Sequence, residues 1–157
     1  MPLGYSEDWS GAAQITNTAL ENDKLSYQLI FNQNTGRWTN WSFRLNPDGV
    51  STHRTVGVVH GFDWTHTFDA ATFMNLNVRQ NYFDYEDRIW DARSQAYDDA
   101  GPPEGDDGYE NGAIVQGAQF NQYIQRTNAF VIKGAVVSQV DPENQLKTGF
   151  EFSLPMV

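Results

Sequence analysis

Bulky apolar residues recur at every second position along several stretches of the chain. Leu25, Tyr27, Leu29 and Phe31 alternate with Ser26, Gln28, Ile30 and Asn32. Val58, His60, Phe62 and Trp64 alternate with Val59, Gly61, Asp63 and Thr65. Met74, Leu76, Val78 and Tyr82 alternate with Asn75, Asn77, Arg79 and Asn81. Leu146, Thr148, Phe150, Phe152 and Leu154 alternate with Lys147, Gly149, Glu151 and Ser153. A period of two is that of a strand with one apolar and one polar face. Asn128–Val140 is apolar on both parities apart from Lys133, Ser138 and Gln139, and Ala12–Ala19 is a shorter, weaker candidate. No stretch carries a capped 3.6-residue apolar stripe, so no helix is expected. The reading is all-β, with about six strands near 12–19, 25–33, 54–68, 72–88, 125–140 and 145–154.

The connections carry a second pattern. Three are tight: Glu21-Asn22-Asp23-Lys24, Asp69-Ala70-Ala71 and Asp141-Pro142-Glu143-Asn144. Two are long, near 34–53 and 90–122, and contain the turn signals Asn46-Pro47-Asp48-Gly49, Gly101-Pro102-Pro103 and Gly105-Asp106-Asp107-Gly108. Short and long connections alternate strictly. In an antiparallel up-and-down meander this puts every turn at one end and every long loop at the other, the asymmetry of outer-membrane barrels.

Composition sharpens the picture. Aromatic residues make up 14% of the 157 residues, yet the mean hydropathy is −0.58; that combination suits a sheet with one apolar and one wet face. There is no cysteine, hence no disulfide framework, iron–sulfur site or thiol nucleophile. A net charge of −10 argues against a nucleic-acid partner, because phosphate binding needs clustered Lys and Arg. No run of 18 apolar residues is present, which excludes a transmembrane helix but not transmembrane strands. The N-terminal Met1-Pro-Leu-Gly-Tyr-Ser-Glu-Asp is acidic and lacks the apolar stretch of a signal peptide.

A soluble sheet needs a second layer over its apolar stripe, and the residues left over for one are polar loops. Asn75, Asn77, Arg79 and Asn81 form four consecutive same-face polar positions whose burial in a sandwich core costs several kcal/mol without partners. Against a wet lumen they cost nothing, so Asn75, Asn77, Arg79, Asn81, Lys147 and Glu151 are expected to face a lumen while the alternate residues meet lipid. Trp64, Phe68, Phe73, Tyr82, Phe83 and Tyr85 near strand ends suit interfacial aromatic girdles.

At this point the motifs themselves resemble a family. Asn46-Pro47-Asp48-Gly49, then Phe62-Asp63-Trp64-Thr65-His66-Thr67-Phe68, Ala71-Thr72-Phe73 and Tyr82-Phe83-Asp84-Tyr85-Glu86-Asp87 resemble the barrel of TonB-dependent receptors with a carboxypeptidase-regulatory-like N-terminal domain. Arg126–Val140 followed by Gln145-Leu146-Lys147-Thr148-Gly149-Phe150-Glu151-Phe152 is similar to a strand, turn and return strand of the same barrel. These matches cover roughly residues 25–152. The resemblance implies a segment of a transmembrane β-barrel in the bacterial outer membrane, part of an importer for a siderophore, oligosaccharide or similar nutrient. It implies as partners outer-membrane lipid, the rest of the barrel, a plug domain and, through that plug, the TonB complex. Signal peptide, TonB box and plug are not visible, the chain ends on Leu154-Pro155-Met156-Val157 rather than on a terminal aromatic, and such receptors have about twenty-two strands. The expectation is therefore a partial barrel that begins and ends inside a larger one. The other reading is a soluble secreted all-β binding module of the carbohydrate-binding or phage-tail type.

Candidate chemistry is sparse. His60 and His66 share a parity but stand about 20 Å apart along a strand, so with His53 they make no metal site. No nucleophile elbow is present, and neither an enzyme nor a cofactor is expected. The long second loop concentrates acid: Asp84, Glu86, Asp87, Asp91, Asp98, Asp99, Glu104, Asp106, Asp107 and Glu110 are half of the chain's 20 acidic residues. A solvated loop accounts for them. A ligand at the mouth of a transporter would use Trp90, Tyr97 and Tyr109 to stack on sugar or catechol rings, and Asp98, Asp99, Asp106, Asp107 and Glu110 to accept hydrogen bonds. The spacing of these acids does not match an EF-hand calcium loop.

Overall fold

The computed structural model describes residues 3–90, 95–105 and 112–156. Six long strands form one antiparallel meander: β1 (Tyr5–Leu20), β2 (Asp23–Arg37), β3 (Thr52–Thr67), β4 (Thr72–Arg88), β7 (Tyr123–Gln139) and β8 (Gln145–Met156). They lie in the order β1-β2-β3-β4-β7-β8, and the sheet is not closed. Between β4 and β7 the chain forms a short helix, α1 (Gln95–Ala100), and two brief strands, β5 (Glu104–Gly105) and β6 (Ile114–Gln116), paired with each other. Among the described residues no helix is long and apolar enough to cross a membrane.

The alternation reads directly into faces. Thr65 Oγ1 donates to Asn75 Oδ1 at 2.8 Å and Asn77 Nδ2 donates to Asp63, so these pairs stand opposite one another on one side of β3 and β4. Lys133 Nζ meets Glu151 Oε2 at 3.1 Å in register across β7 and β8. The opposite side of the same strands presents Phe62 and Trp64, Leu76 and Val78, Ile132, Phe150 and Phe152.

Two compact units divide the chain. The turn unit comprises residues 10–31, 57–83 and 127–157, and contains all three short connections. It consists of strands and turns alone, so no second layer of its own covers either face. Val137 is its one buried large apolar side chain among the described residues, whereas Phe150 is 62% and Phe152 57% exposed, and Leu76 and Val78 are half-buried. Phe150 lies over Gly134 of the facing strand, where any added Cβ would collide with the ring. The turns are locally determined. Asn22 takes the left-handed conformation that asparagine tolerates, at φ 69°, and Asp141 Oδ1 accepts from the amides of Glu143 and Asn144, both at 2.9 Å. At the start of β2, Asp23 Oδ1 accepts from Trp64 Nε1 at 2.7 Å and lies 2.8 Å from His66 Nδ1, which fixes the Trp64 ring at a strand end.

The loop unit comprises residues 1–9, 32–56 and 84–126 and holds both long connections. Unlike the turn unit it has a small interior, built from Phe43, Val50, Ala113 and Ala118. The first long loop is organised by two 3-10 turns, Trp41–Phe43 and Pro47–Gly49. It is fastened to the second by Gln119 N–H to Gly49 O at 2.8 Å, Asn46 Nδ2 to Gly117 O at 2.8 Å and Ser51 N–H to Gln119 Oε1 at 3.1 Å.

Three features differ from the sequence reading. β1 begins at Tyr5 rather than near residue 12, because pairing with β2 extends a strand whose small residues Ser10, Gly11, Ala12 and Ala13 show no hydrophobic contrast. The expectation of no helix is corrected by the six residues of α1. The long loops contain ordered local structure where uninterrupted loop was expected.

Candidate functional site

The residues expected to face a lumen come together. Asn77, Arg79, Asn81 and Glu151 line one polar groove of ≈ 450 Å³ with Val131 and Lys133, and Asn75 and Lys147 join Asn77 and Glu151 along a neighbouring one. Arg79 approaches Asp63 at 4.0 Å, with both side chains nearly half exposed. This face of the turn unit is exposed, and its opposite charges are interspersed: Arg79, Lys133 and Lys147 alternate with Asp63 and Glu151.

Of the expected ligand contacts in the second loop, the side chains of Trp90, Asp98 and Asp99 are described. Trp90 lines a groove of ≈ 480 Å³ with Thr35, Thr52, Arg54, Glu86, Arg88 and Ile89. Among the described residues, Asp98 and Asp99 do not line that groove. Asp98 and Asp99 lie exposed on α1, where Asp98 accepts from Gln95 Nε2 at 3.5 Å. Asp106, Asp107, Tyr109 and Glu110, together with the side chain of Tyr97, fall outside the described residues. The three histidines take separate partners. His60 Nε2 lies 2.9 Å from Gln80 Oε1, His66 bonds Asp23, and His53 lies in the loop unit. No group of three metal-ligating side chains occurs among the described residues.

The loop unit gathers a different set, on the other side of β3 and β4 from the Trp90 groove. Because Thr52, Arg54, Glu86 and Arg88 line one groove together, the intervening His53 and Asp87 project together from the opposite side. His53 is 5% exposed; its ring packs on the Cα of Gly36, and Trp38 stacks on it with centroids 4.6 Å apart and planes inclined by 21°. Trp38 itself is 66% exposed. Tyr85, two residues from Asp87 on the same face, lies 5.8 Å from the Tyr123 ring, and Tyr123 is 54% exposed. His53 Nδ1 and Asp87 Oδ1 are both shielded from solvent and have no hydrogen-bond partner.

Sequence reasoning passed over this cluster. Asp87 was one acid among ten, Tyr85 a girdle aromatic and His53 a discarded metal ligand. The available signal was parity: His53, Tyr85 and Asp87 fall on the polar-face parity of their strands. Knowing that His53 and Asp87 stand opposite each other also requires the β3–β4 register. The fold and site define an open antiparallel all-β meander with one apolar face, one polar face and an ordered loop cluster. Compared with protein-family models, curated proteins and solved structures, the chain matches none.

Proposed function

We propose that the chain forms a stretch of wall in an outer-membrane β-barrel importer of the TonB-dependent receptor type, for a siderophore, oligosaccharide or similar nutrient. One observation carries this reading. In the turn unit the aromatic and aliphatic side of the sheet lies open, with no layer of that unit over it, while the other side carries polar and charged groups. In water such a face is an aggregation surface; in a bilayer it needs no cover. On β4 this parity spans nine residues and carries Met74, Leu76, Val78, Gln80 and Tyr82, the length a tilted strand needs to cross the hydrocarbon, and its one polar member, Gln80, is satisfied within the sheet by Asn128 and His60. Trp64, held by Asp23, suits the interfacial belt at the turn end of that band.

In this reading the turn unit supplies lipid and lumen contacts and the loop unit supplies outer-surface contacts to the solute. Further strands continue the sheet from β1 and β8, and a plug domain and its energising TonB complex act from outside this chain. The wall performs no covalent chemistry. Brominated lipids test the reading. With the chain refolded into vesicles, bromines on the acyl chains are expected to quench Trp64, measured in a variant whose other four tryptophans are replaced by Phe. Trp38, isolated in the same way, is expected to escape quenching. Equal quenching of both, or of neither, overturns the wall assignment, as does recovery of the native chain from the soluble periplasmic fraction instead of the outer membrane.

A further inference from the structure

We propose that Trp38, His53, Tyr85, Asp87 and Tyr123 form a subsite for an organic cation, a solute bearing an amine or a quaternary ammonium group. The inference deepens the importer reading, on which the role of that solute as cargo rests; the binding itself stands on the loop unit alone.

Asp87 is half-buried, its Oδ1 is shielded from solvent, and among the described residues its carboxylate has no hydrogen bond or ion pair. The nearest basic residue in sequence, Arg88, has the opposite parity and pairs with Glu86 at 2.9 Å. A carboxylate oxygen shielded from water and left without a partner is costly to keep, and a cation seated beside the group would offset that cost.

The neighbours of Asp87 specify what arrives. Continued along β4 and β3, the register that sets Asn75 beside Thr65 and Asn77 beside Asp63 brings Asp87 opposite His53. Its ring is clamped between Gly36 and Trp38, so the indole is held flat with its outer face free. On the other flank, Tyr85 and Tyr123 form a tilted pair, with Tyr123 more than half exposed. A carboxylate sharing its face with a stacked and a tilted ring pair attracts cations twice, through its charge and through the negative ring faces. A neutral sugar could lie on the same rings but would leave the charge uncompensated, and an anion is repelled.

The test uses the full chain folded in tetraethylene glycol monooctyl ether, a detergent with neither charge nor sugar. Choline, its neutral isostere 3,3-dimethyl-1-butanol, and maltose are titrated separately by calorimetry and tryptophan fluorescence. Choline is expected to bind at least about tenfold more tightly than the isostere, and both Asp87→Asn and Trp38→Ala are expected to weaken it by about tenfold. Trp41→Ala, at an exposed tryptophan outside the cluster, is expected to leave it unchanged. Equal affinity for choline and its isostere, preference for maltose, absence of choline binding, or full affinity in Asp87→Asn each overturns the proposal. Should Asp87→Asn lose its near-ultraviolet circular dichroism, Trp38→Ala decides, because that side chain is mostly outside the packed structure. Choline binding by a chain that fails the bromine test would sink the wall and leave the subsite standing; the converse result would do the reverse.

Discussion

Gly36 shows how much a single missing carbon sets in the loop unit. A Cβ there would lie 2.8 Å from His53 Cε1 and 2.7 Å from the Tyr5 carbonyl oxygen, so the imidazole occupies the space a side chain would take. Gly36→Ala is expected to drive His53 off the strand, break its stack with Trp38 and cost about 1–3 kcal/mol as an overpacking change. Denaturant titration together with the near-ultraviolet signal of the indole measures both effects; an unchanged signal at unchanged stability would refute the clamp. Asp141 offers a second test at this scale. Its carboxylate is held below its ordinary pKa of 3.8 by the Asn144 side-chain amide and then the Glu143 backbone N–H, which with the weaker Asn144 backbone N–H outweigh the opposing effect of desolvation. A depressed folded-state value means that the carboxylate stabilises the turn above the unfolded value, and that this support is lost as pH falls below about 4 through the folded value. Amide exchange at Glu143 and Asn144 is therefore expected to accelerate over that acid range, and Asp141→Asn to abolish the dependence.

At the scale of elements, the apolar side of β4 can be challenged directly. Val78→Arg, in the middle of the apolar parity, is expected to cost about 2–4 kcal/mol in bilayer-refolded protein, and Asn77→Arg, one residue away on the polar face, close to nothing. Equal penalties at the two positions would mean that the faces meet the same medium. The contrast between them was legible before any coordinates, as were β2, β3, β4 and β8, because Leu, Phe, Trp and Val stand against Asn, Asp, Arg and Ser at every second position. The early part of β1 was not, since Ser10-Gly11-Ala12-Ala13 offers no contrast in size or polarity and its extended form comes from pairing with β2. α1 was hidden by its length: six residues with acid on most exposed positions carry no apolar stripe. The His53–Asp87 opposition was hidden for a different reason. Register is a property of two strands, and neither sequence segment contains it.

For the whole molecule, the decisive imbalance is between a loop unit with a small interior and a turn unit with almost none. Every residue of both outer strands is exposed, and each of these strands presents one row of backbone amides and carbonyls with no partner strand. Within hydrocarbon each such group costs several kcal/mol if left unpaired, so a wall built from this sheet requires neighbouring strands along both margins. Water penalises the same margins through association with other chains.

The parity of the strand count carries one more consequence. Six strands in an up-and-down order bring the chain out of β8 travelling opposite to the way it entered β1. In the proposed barrel, six staves gained or shed at these margins would leave every remaining stave its heading and every hairpin its own side of the bilayer, changing the bore alone. An odd number of strands gained or lost would instead reverse the heading of every stave that follows.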